Sequence, residues 1–411
     1  MCGIVGYVGY DEAAGKIIEG LKKLEYRGYD SSGIAILSDK GIELNKCKGE
    51  IKNLENMIAG RVPSGTCGIG HTRWATHGAP SDVNSHPHMD QSGRVALVHN
   101  GIVENYVELK EALINEHGIK FKSETDSEVI AQLVGVKYNA NGGDLEKAVY
   151  DATKEMRGTY AIGVIAEDTP NKIVAYRKEA PLIAGLGKKS NFIASDIPAL
   201  LKYTNDIFLI ENDEMVICTP DSITIKDKDG KEVKREAMKI TWSVEDAEKG
   251  GYEHFMLKEI NEQPKVVAET LNRRIDEDGK IKLDGINLTK EELDKYNKIY
   301  IVACGTAYHA GLVGKYVIEK MAGIAVEVDV ASEFRYRDPF IDEKTLFIAI
   351  SQSGETLDTL MSLRLAKEKG ARVLSVVNVV GSSIARESDD VFYTWAGPEI
   401  AVASTKAYTT Q

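Results

Sequence analysis

The chain has 411 residues, 43% hydrophobic and 28% charged, with a formal net charge of −12. That length exceeds one ordinary core and predicts two or three globular domains, while an acidic balance with no block of lysine or arginine argues against a nucleic-acid partner. The five cysteines, Cys2, Cys47, Cys67, Cys218 and Cys304, are scattered with no CxxC pair, a reduced pattern that predicts a cytoplasmic protein; no basic stretch precedes a long apolar run and no apolar run reaches about 18 residues, so neither secretion nor a membrane span is indicated.

The first element is the strand-like run CGIVGYVGY from Cys2 to Tyr10. Removal of Met1 would leave Cys2 carrying a thiol and a free α-amino group. That amine titrates near ~8, so its neutral fraction can take the thiol proton directly or through one water, and the thiolate is the attacking species. The alternative is a half-buried strand cysteine that only packs. Further strands are predicted over 33–37, 94–101, 158–168, 172–178 and within 207–225, many joined in antiparallel fashion. Apolar residues at i, i+3, i+4 spacing predict helices over 13–28, 105–118 and 126–138. Sheets covered by helices are the economical arrangement.

Between these elements lie the stretches with chemistry. GHTRWATHG, Gly70 to Gly78, gathers a guanidinium, an indole, two hydroxyls and two imidazoles. Arginine there suits bidentate capture of a carboxylate, against the alternative of an ordinary surface ion pair. Five of the eight histidines, His71, His77, His86, His88 and His99, fall close together. Their spacings match neither a helical zinc pair nor HExxH, so no metal site is expected. In VHNGIVEN the strand is expected to end at His99, leaving Asn100 and Gly101 either as a plain NG turn or as two convergent donors, an oxyanion hole worth about 3 kcal/mol per donor. SETDSEV places Asp126 at a helix start, where it is a first-turn charge or holds an ammonium group; the local sequence leaves both open.

From 241 to 290 the sequence turns charged and amphipathic and is expected to be a helical linker. From 298 onward strand, loop and helix alternate strictly, implying βαβ units in a doubly wound parallel sheet. AISQSGET (349–356) sets hydroxyls and backbone N–H groups at a helix start, a cradle for a phosphate monoester that needs no lysine. CGTAYHAG (304–311) repeats the arrangement one strand earlier, and for both loops a well-capped helix without ligand is the alternative. No GxxxxGK[ST] occurs, so neither is a nucleotide P-loop. The terminal segment EIAVASTKAYTTQ has the character of a helix start, and the second α/β region is expected to be incomplete.

Taken together, CGIVGYVG, EYRGYDS, HTRWATHG, VHNGIVEN and SETDSEV, then CGTAYHAG, ISQSGET and EIAVASTKAYTTQ, resemble in order the glutamine-dependent glucosamine-6-phosphate synthases (glutamine:fructose-6-phosphate aminotransferases). The resemblance implies an α+β N-terminal-nucleophile αββα sandwich, a class II glutamine amidotransferase domain, over 1–240. It further implies a linker over 241–290 and a doubly wound sugar isomerase (SIS) domain over 291–411. Implied roles are Cys2 as nucleophile with its own amine as base, Asn100 and Gly101 as oxyanion hole, Arg73 on the glutamine carboxylate and Asp126 on its ammonium. Thr76 and His77 would line the amino-acid site, Arg27 would order the loop around it, and Trp74 would gate ammonia. Ser351, Gln352, Ser353 and Thr356 would hold the phosphate of fructose 6-phosphate, with Thr306, Val402 and Ser404 on the rest of the sugar. Ala307 stands where the family usually has serine. The implied substrates are glutamine and fructose 6-phosphate, with no cofactor, no metal and no membrane or nucleic-acid partner, and with pairing into a homodimer through the isomerase domain. The family's ring-opening residues lie in a further isomerase half, so this chain is expected to hydrolyse glutamine and bind sugar phosphate without completing the synthesis. An amidotransferase with a different acceptor and a silent sugar-phosphate sensor are the alternatives. The first would need an acidic diphosphate loop or a pyrophosphate loop after residue 240, which ISQSGET is not.

Overall fold

A computed structural model describes residues 2–75, 78–240, 249–283 and 285–411. They form two compact units, Met1–Val244 and Glu245–Gln411.

The first unit is built on two antiparallel sheets. In spatial order the first comprises Met238–Lys239, Asp206–Leu209, Ile183–Leu186, Ser190–Ala194, Gly3–Gly9, Cys67–Arg73, Ser31–Ser38 and Gly41–Lys48; the second comprises Ile223–Lys226, Glu214–Cys218, Ile173–Lys178, Gly158–Ala166, Val95–Val103 and His88–Met89. Strand alternation sorts the side chains between layers. Ile4, Val8, Cys67 and Ile69 from one sheet meet Ala96, Val98, Ala161 and Ile165 from the other in a buried core between them. The intervening residues Val95, Leu97, Ile162 and Val164 face outward onto the helices Asp126–Ala140 and Leu145–Glu155, which bury Val129, Leu133, Val134, Ala148 and Val149. Helix Ala13–Leu24 covers the outer face of the first sheet, burying Ile17, Leu21 and Leu24 completely, each worth about 1.5–3 kcal/mol. It lies so close that a Cβ on Gly70 would stand 2.4 Å from Ile17 Cγ2. The result is a four-layer helix–sheet–sheet–helix sandwich.

One expectation about this unit is corrected. The strand expected to stop at His99 runs unbroken from Val95 to Val103, in continuous register from Val95 opposite Ala166 to Val103 opposite Gly158. Asn100 and Gly101 are therefore ladder residues and not a turn. The ladder continues because Gly101 holds φ at +121° with its Cα against the partner strand, where a Cβ would lie 2.0 Å from the Thr159 carbonyl oxygen.

The second unit has a parallel sheet in the order Ala325–Val330, Lys298–Ala303, Thr345–Ser351, Arg372–Val377, Asp390–Tyr393. Tyr300, Val302, Phe347 and Ala349 point to one face with Leu360 and Leu363 of helix Leu357–Glu368, whereas Ile299, Ile301, Leu346 and Ile350 point to the other with Ala307 of helix Gly305–Ala322. The first strand in sequence lies second in space, so strand order reverses between Lys298–Ala303 and Thr345–Ser351. Ligands of open parallel sheets sit at such a switch point, outside the carboxyl ends of the strands.

The expected linker 241–290 is corrected over its described part. Helix Phe255–Asn272 is built into the second unit. Buried Glu259 accepts the backbone N–H groups of Ile400 at 2.6 Å and Ala401 at 3.1 Å, Thr270 donates to the Thr394 carbonyl, and the Lys406 ammonium meets Glu262 at 2.6 Å. Pro264 interrupts the helix ladder, and the side chain of Gln263 supplies the missing donor to the Ile260 carbonyl at 3.0 Å. The helix reads as a solvated linker because it is held by polar partners and carries no broad apolar stripe.

Candidate active site

The period of two along three strands brings one set of side chains to the same end of the sandwich. Cys2 shares the inward parity of Ile4 and Val8, His71 and Arg73 that of Cys67 and Ile69, and Asn100 that of Ala96 and Val98. The register places Ile4 opposite His71. The Trp74 backbone N–H donates to Cys2 Sγ at 3.2 Å, and Asn100 Nδ2 donates to the Cys2 carbonyl at 3.0 Å. Burial pushes the Cys2 thiol up, and the Trp74 N–H and the guanidinium groups of Arg73 and Arg27 offset part of that rise. A thiol with an N–H donor and a nearby amide is equipped for attack on a carboxamide.

Around this centre Arg73 is buried, with one guanidinium nitrogen donating to the Gly78 carbonyl at 3.2 Å. Asp126 is the first residue of helix Asp126–Ala140; Thr125 is the cap. The Asp126 carboxylate accepts the Val103 N–H at 3.0 Å and lies 3.9 Å from His99 Nδ1. Arg27 is paired with Asp196, which also accepts from the Tyr26 hydroxyl at 2.7 Å. Trp74 is 40% exposed and meets Tyr29 edge-on with centroids 5.4 Å apart. Thr76 and His77 lie outside the described residues.

His71, His86, His88 and His99 do assemble, but as neutral rings. His71 stacks on His86 at 4.0 Å, burial pushes its protonation down to about 3, and burial holds His86 and His88 well below the ordinary histidine range and lowers His99 as well. Among the described residues no group of three or more His, Cys, Asp or Glu side chains is arranged to hold a metal ion.

In the second unit Ser351, Gln352, Ser353 and Thr356 share the loop that leaves the strand Thr345–Ser351. Ser351 Oγ accepts the Gly354 N–H at 3.0 Å and stands 2.9 Å from Thr356 Oγ1, and Ser353 Oγ accepts the Glu355 N–H at 3.1 Å. Thr356 caps helix Leu357–Glu368 without spending its hydroxyl on the helix. Thr306 is exposed in the first turn of helix Gly305–Ala322, on the loop of the neighbouring strand across the switch point. Ala307 is buried behind it. Val402, 77% exposed, and Ser404, half-buried, come from a separate segment.

Several supporting residues escape a reading of local sequence. Buried Asn378 ties the loop after strand Thr345–Ser351 to the segment around Gly397, its N–H donating to the Gln352 carbonyl at 3.2 Å and its Nδ2 to the Gly397 carbonyl at 2.7 Å. Asp30 braces the stretch after Arg73, accepting the Ala75 N–H at 2.7 Å while its own N–H donates to the Arg73 carbonyl at 3.0 Å. The position of Asn378 at the carboxyl end of a parallel strand, and of Asp30 within EYRGYDS, were the signals available.

Comparison with known proteins bears on both units. The family described as a glutamine amidotransferase domain matches residues 71–202, and the SIS domain family matches residues 292–411. Glutamine–fructose-6-phosphate aminotransferase (isomerizing) of Clostridium tetani (strain Massachusetts / E88) is 61% identical over 411 residues, covering 100% of this chain and 67% of the relative. The protein of that name from Clostridium perfringens (strain 13 / Type A) is 60% identical with the same coverage. The solved glutamine phosphoribosylpyrophosphate amidotransferase from B. subtilis, complexed with ADP and GMP, shares 18% identity at a TM-score of 0.50 over 92% of this chain and 81% of that one, a likeness of fold alone. Similarity to curated relatives over its whole length, with both domain families in the same order, places the chain in the glutamine–fructose-6-phosphate aminotransferase (isomerizing) family.

Proposed function

We propose that this chain hydrolyses the side-chain amide of glutamine at Cys2 and serves the transfer of the released ammonia to fructose 6-phosphate, the reaction that opens amino-sugar synthesis with glucosamine 6-phosphate and glutamate as products. The convergence of Cys2 Sγ, the Trp74 N–H and the Asn100 amide at one end of the sandwich carries the reading. Cys2, freed of Met1, attacks the amide carbon, its α-amine takes the thiol proton, and Asn100 with Gly101 stabilises the developing oxyanion. Arg73 holds the α-carboxylate, Asp126 the α-ammonium, Thr76 and His77 line the amino-acid site, Arg27 braced by Asp196 orders its rim, and Trp74 gates ammonia. The hydroxyls of Ser351, Ser353 and Thr356, with Gln352, take the sugar phosphate at the switch point, and Thr306, Val402 and Ser404 take the rest of the sugar.

Five free cysteines support a cytoplasmic setting. The apolar side chains exposed on helix Gly305–Ala322, Val313, Tyr316, Val317 and Met321, support pairing of two copies through the isomerase unit. Glutamate release from glutamine tests the reading: it is expected from the native chain and absent from Cys2→Ala, and equal release from both would refute it.

A further inference from the structure

The Asn100 side chain can offer an oxyanion its N–H only if its amide is turned the right way, and the two orientations of an amide have nearly the same shape. The surroundings choose between them. His71 Nε2 lies 3.1 Å from the main-chain oxygen of His99 and 3.0 Å from Asn100 Oδ1. A carbonyl oxygen only accepts, so Nε2 carries the ring proton. A ring that holds its one proton there leaves Nδ1 bare, and His71 Nδ1 is indeed buried with no hydrogen-bond partner among the described residues. With a hydrogen on Nε2, the Asn100 atom facing it must be the acceptor. The amide nitrogen is then directed at the Cys2 carbonyl, 3.0 Å away. A flipped amide would set N–H against N–H at His71 and oxygen against oxygen at Cys2.

The ring itself is held in plane. His86 stacks on His71 at an interplanar angle of 14°, and His86 Nδ1 accepts the His99 N–H at 3.3 Å, so both imidazoles are pinned to the strand that carries Asn100.

We propose that His71 is a positioning residue for amide hydrolysis: its Nε2–H fixes the Asn100 side chain with one amide N–H on the Cys2 carbonyl and the other free for the oxyanion. This rests on the reading of Cys2 as nucleophile and Asn100 as oxyanion donor. The hydrogen-bond partners of the His71 side chain are the His99 carbonyl and Asn100, so it acts on the reaction through Asn100.

The tests use the whole chain. In the native protein, nitrogen NMR of labelled histidine is expected to show His71 neutral with the proton on Nε2 from pH 5 to pH 9; a proton on Nδ1, or a charged ring, overturns the proposal. His71→Phe keeps an aromatic ring against His86 and removes the donor. For this variant kcat is expected to fall about 100-fold, while KM for glutamine and the rate of Cys2 alkylation by iodoacetamide stay within threefold. His71→Gln, which restores a side-chain N–H, is expected to recover at least tenfold of that loss. A kcat within threefold of native for His71→Phe, a parallel fall in alkylation and kcat, or no gain from His71→Gln would overturn the proposal. If His71→Phe does not fold, the NMR measurement and His71→Gln decide. Undiminished glutamate release by Cys2→Ala would instead defeat the assignment of the nucleophile, a failure that the tautomer of His71 does not share.

Discussion

Cys2 is placed where its surroundings oppose one another. Burial favours the neutral thiol, whereas the Trp74 N–H at 3.2 Å and the nearby guanidinium groups favour the thiolate, so reactivity depends on keeping those donors aligned. Gly101 bears on the same geometry. A side chain at φ +121° and 2.0 Å from the Thr159 carbonyl oxygen forces the strand apart. Gly101→Ala is therefore expected to cost about 2 kcal/mol or more in urea unfolding and to abolish glutamate release; a variant with native stability and activity would show that the ladder is not constrained there. Gly354 plays the corresponding part in the second unit, with φ +64° and a hypothetical Cβ 1.9 Å from Ser382 Oγ. Gly354→Ala should weaken fructose 6-phosphate binding at least tenfold by calorimetry while basal glutamate release is unchanged. Arg73 and Asn100 could be singled out from the sequence because each stands in a short stretch rich in chemistry, and Cys2 because it directly follows Met1. Asp196 could not, because it acts on Arg27, far away in the chain, and looks locally like ordinary loop sequence; Asn378 offered only its place at the end of a parallel strand.

At the scale of elements, a strand packed on both faces was legible as a short apolar run, as in the strand Val95–Val103, though the dipeptide Asn100–Gly101 suggested a turn that the ladder overrides. Helix Phe255–Asn272 was visible as a helix but not as part of a domain, since Glu259 and Thr270 bind it through hydrogen bonds that leave no hydrophobic signature. Removing that anchorage with Glu259→Ala should loosen the segment bearing Val402 and Ser404. Fructose 6-phosphate affinity is expected to fall several-fold and Cys2-dependent hydrolysis to persist; unchanged affinity would show that the helix does not support the sugar site. A second clip closes the far edge of the parallel sheet. Burial pushes the Asp390 carboxyl up, yet Arg372 at 2.8 Å and the Asn287 N–H at 2.7 Å outweigh it and hold it below the ordinary carboxylate range. A carboxyl depressed in the folded state stabilises fully above its unfolded value of about 3.9, and that contribution is lost as pH falls through the folded value. Arg372→Met should therefore lower the stability of the second unit by about 2 kcal/mol at pH 7, with the gap from native narrowing toward pH 3. A gap that stays constant with pH would rule out the ion pair as its source.

Across the whole molecule, each unit encloses its own cores, two sheets in the first and one in the second, each with its helices. The change from antiparallel to parallel rhythm was legible because parallel strands alternate strictly with helices. How the charged stretch between them is shared out was not, since its buried partners lie more than 100 residues away. Because among the described residues each sheet draws its strands from one unit, a fragment ending at Ile240 is expected to fold and to release glutamate at a rate comparable with the full chain; an insoluble or inactive fragment would contradict that expectation. The most direct test of the account is glutamate release from glutamine, with Met1 removal confirmed by intact mass, for the native chain and Cys2→Ala, each with and without fructose 6-phosphate. The account predicts release from the native chain alone, responsive to the sugar phosphate. No release from correctly processed native protein, or equal release from Cys2→Ala, would contradict it.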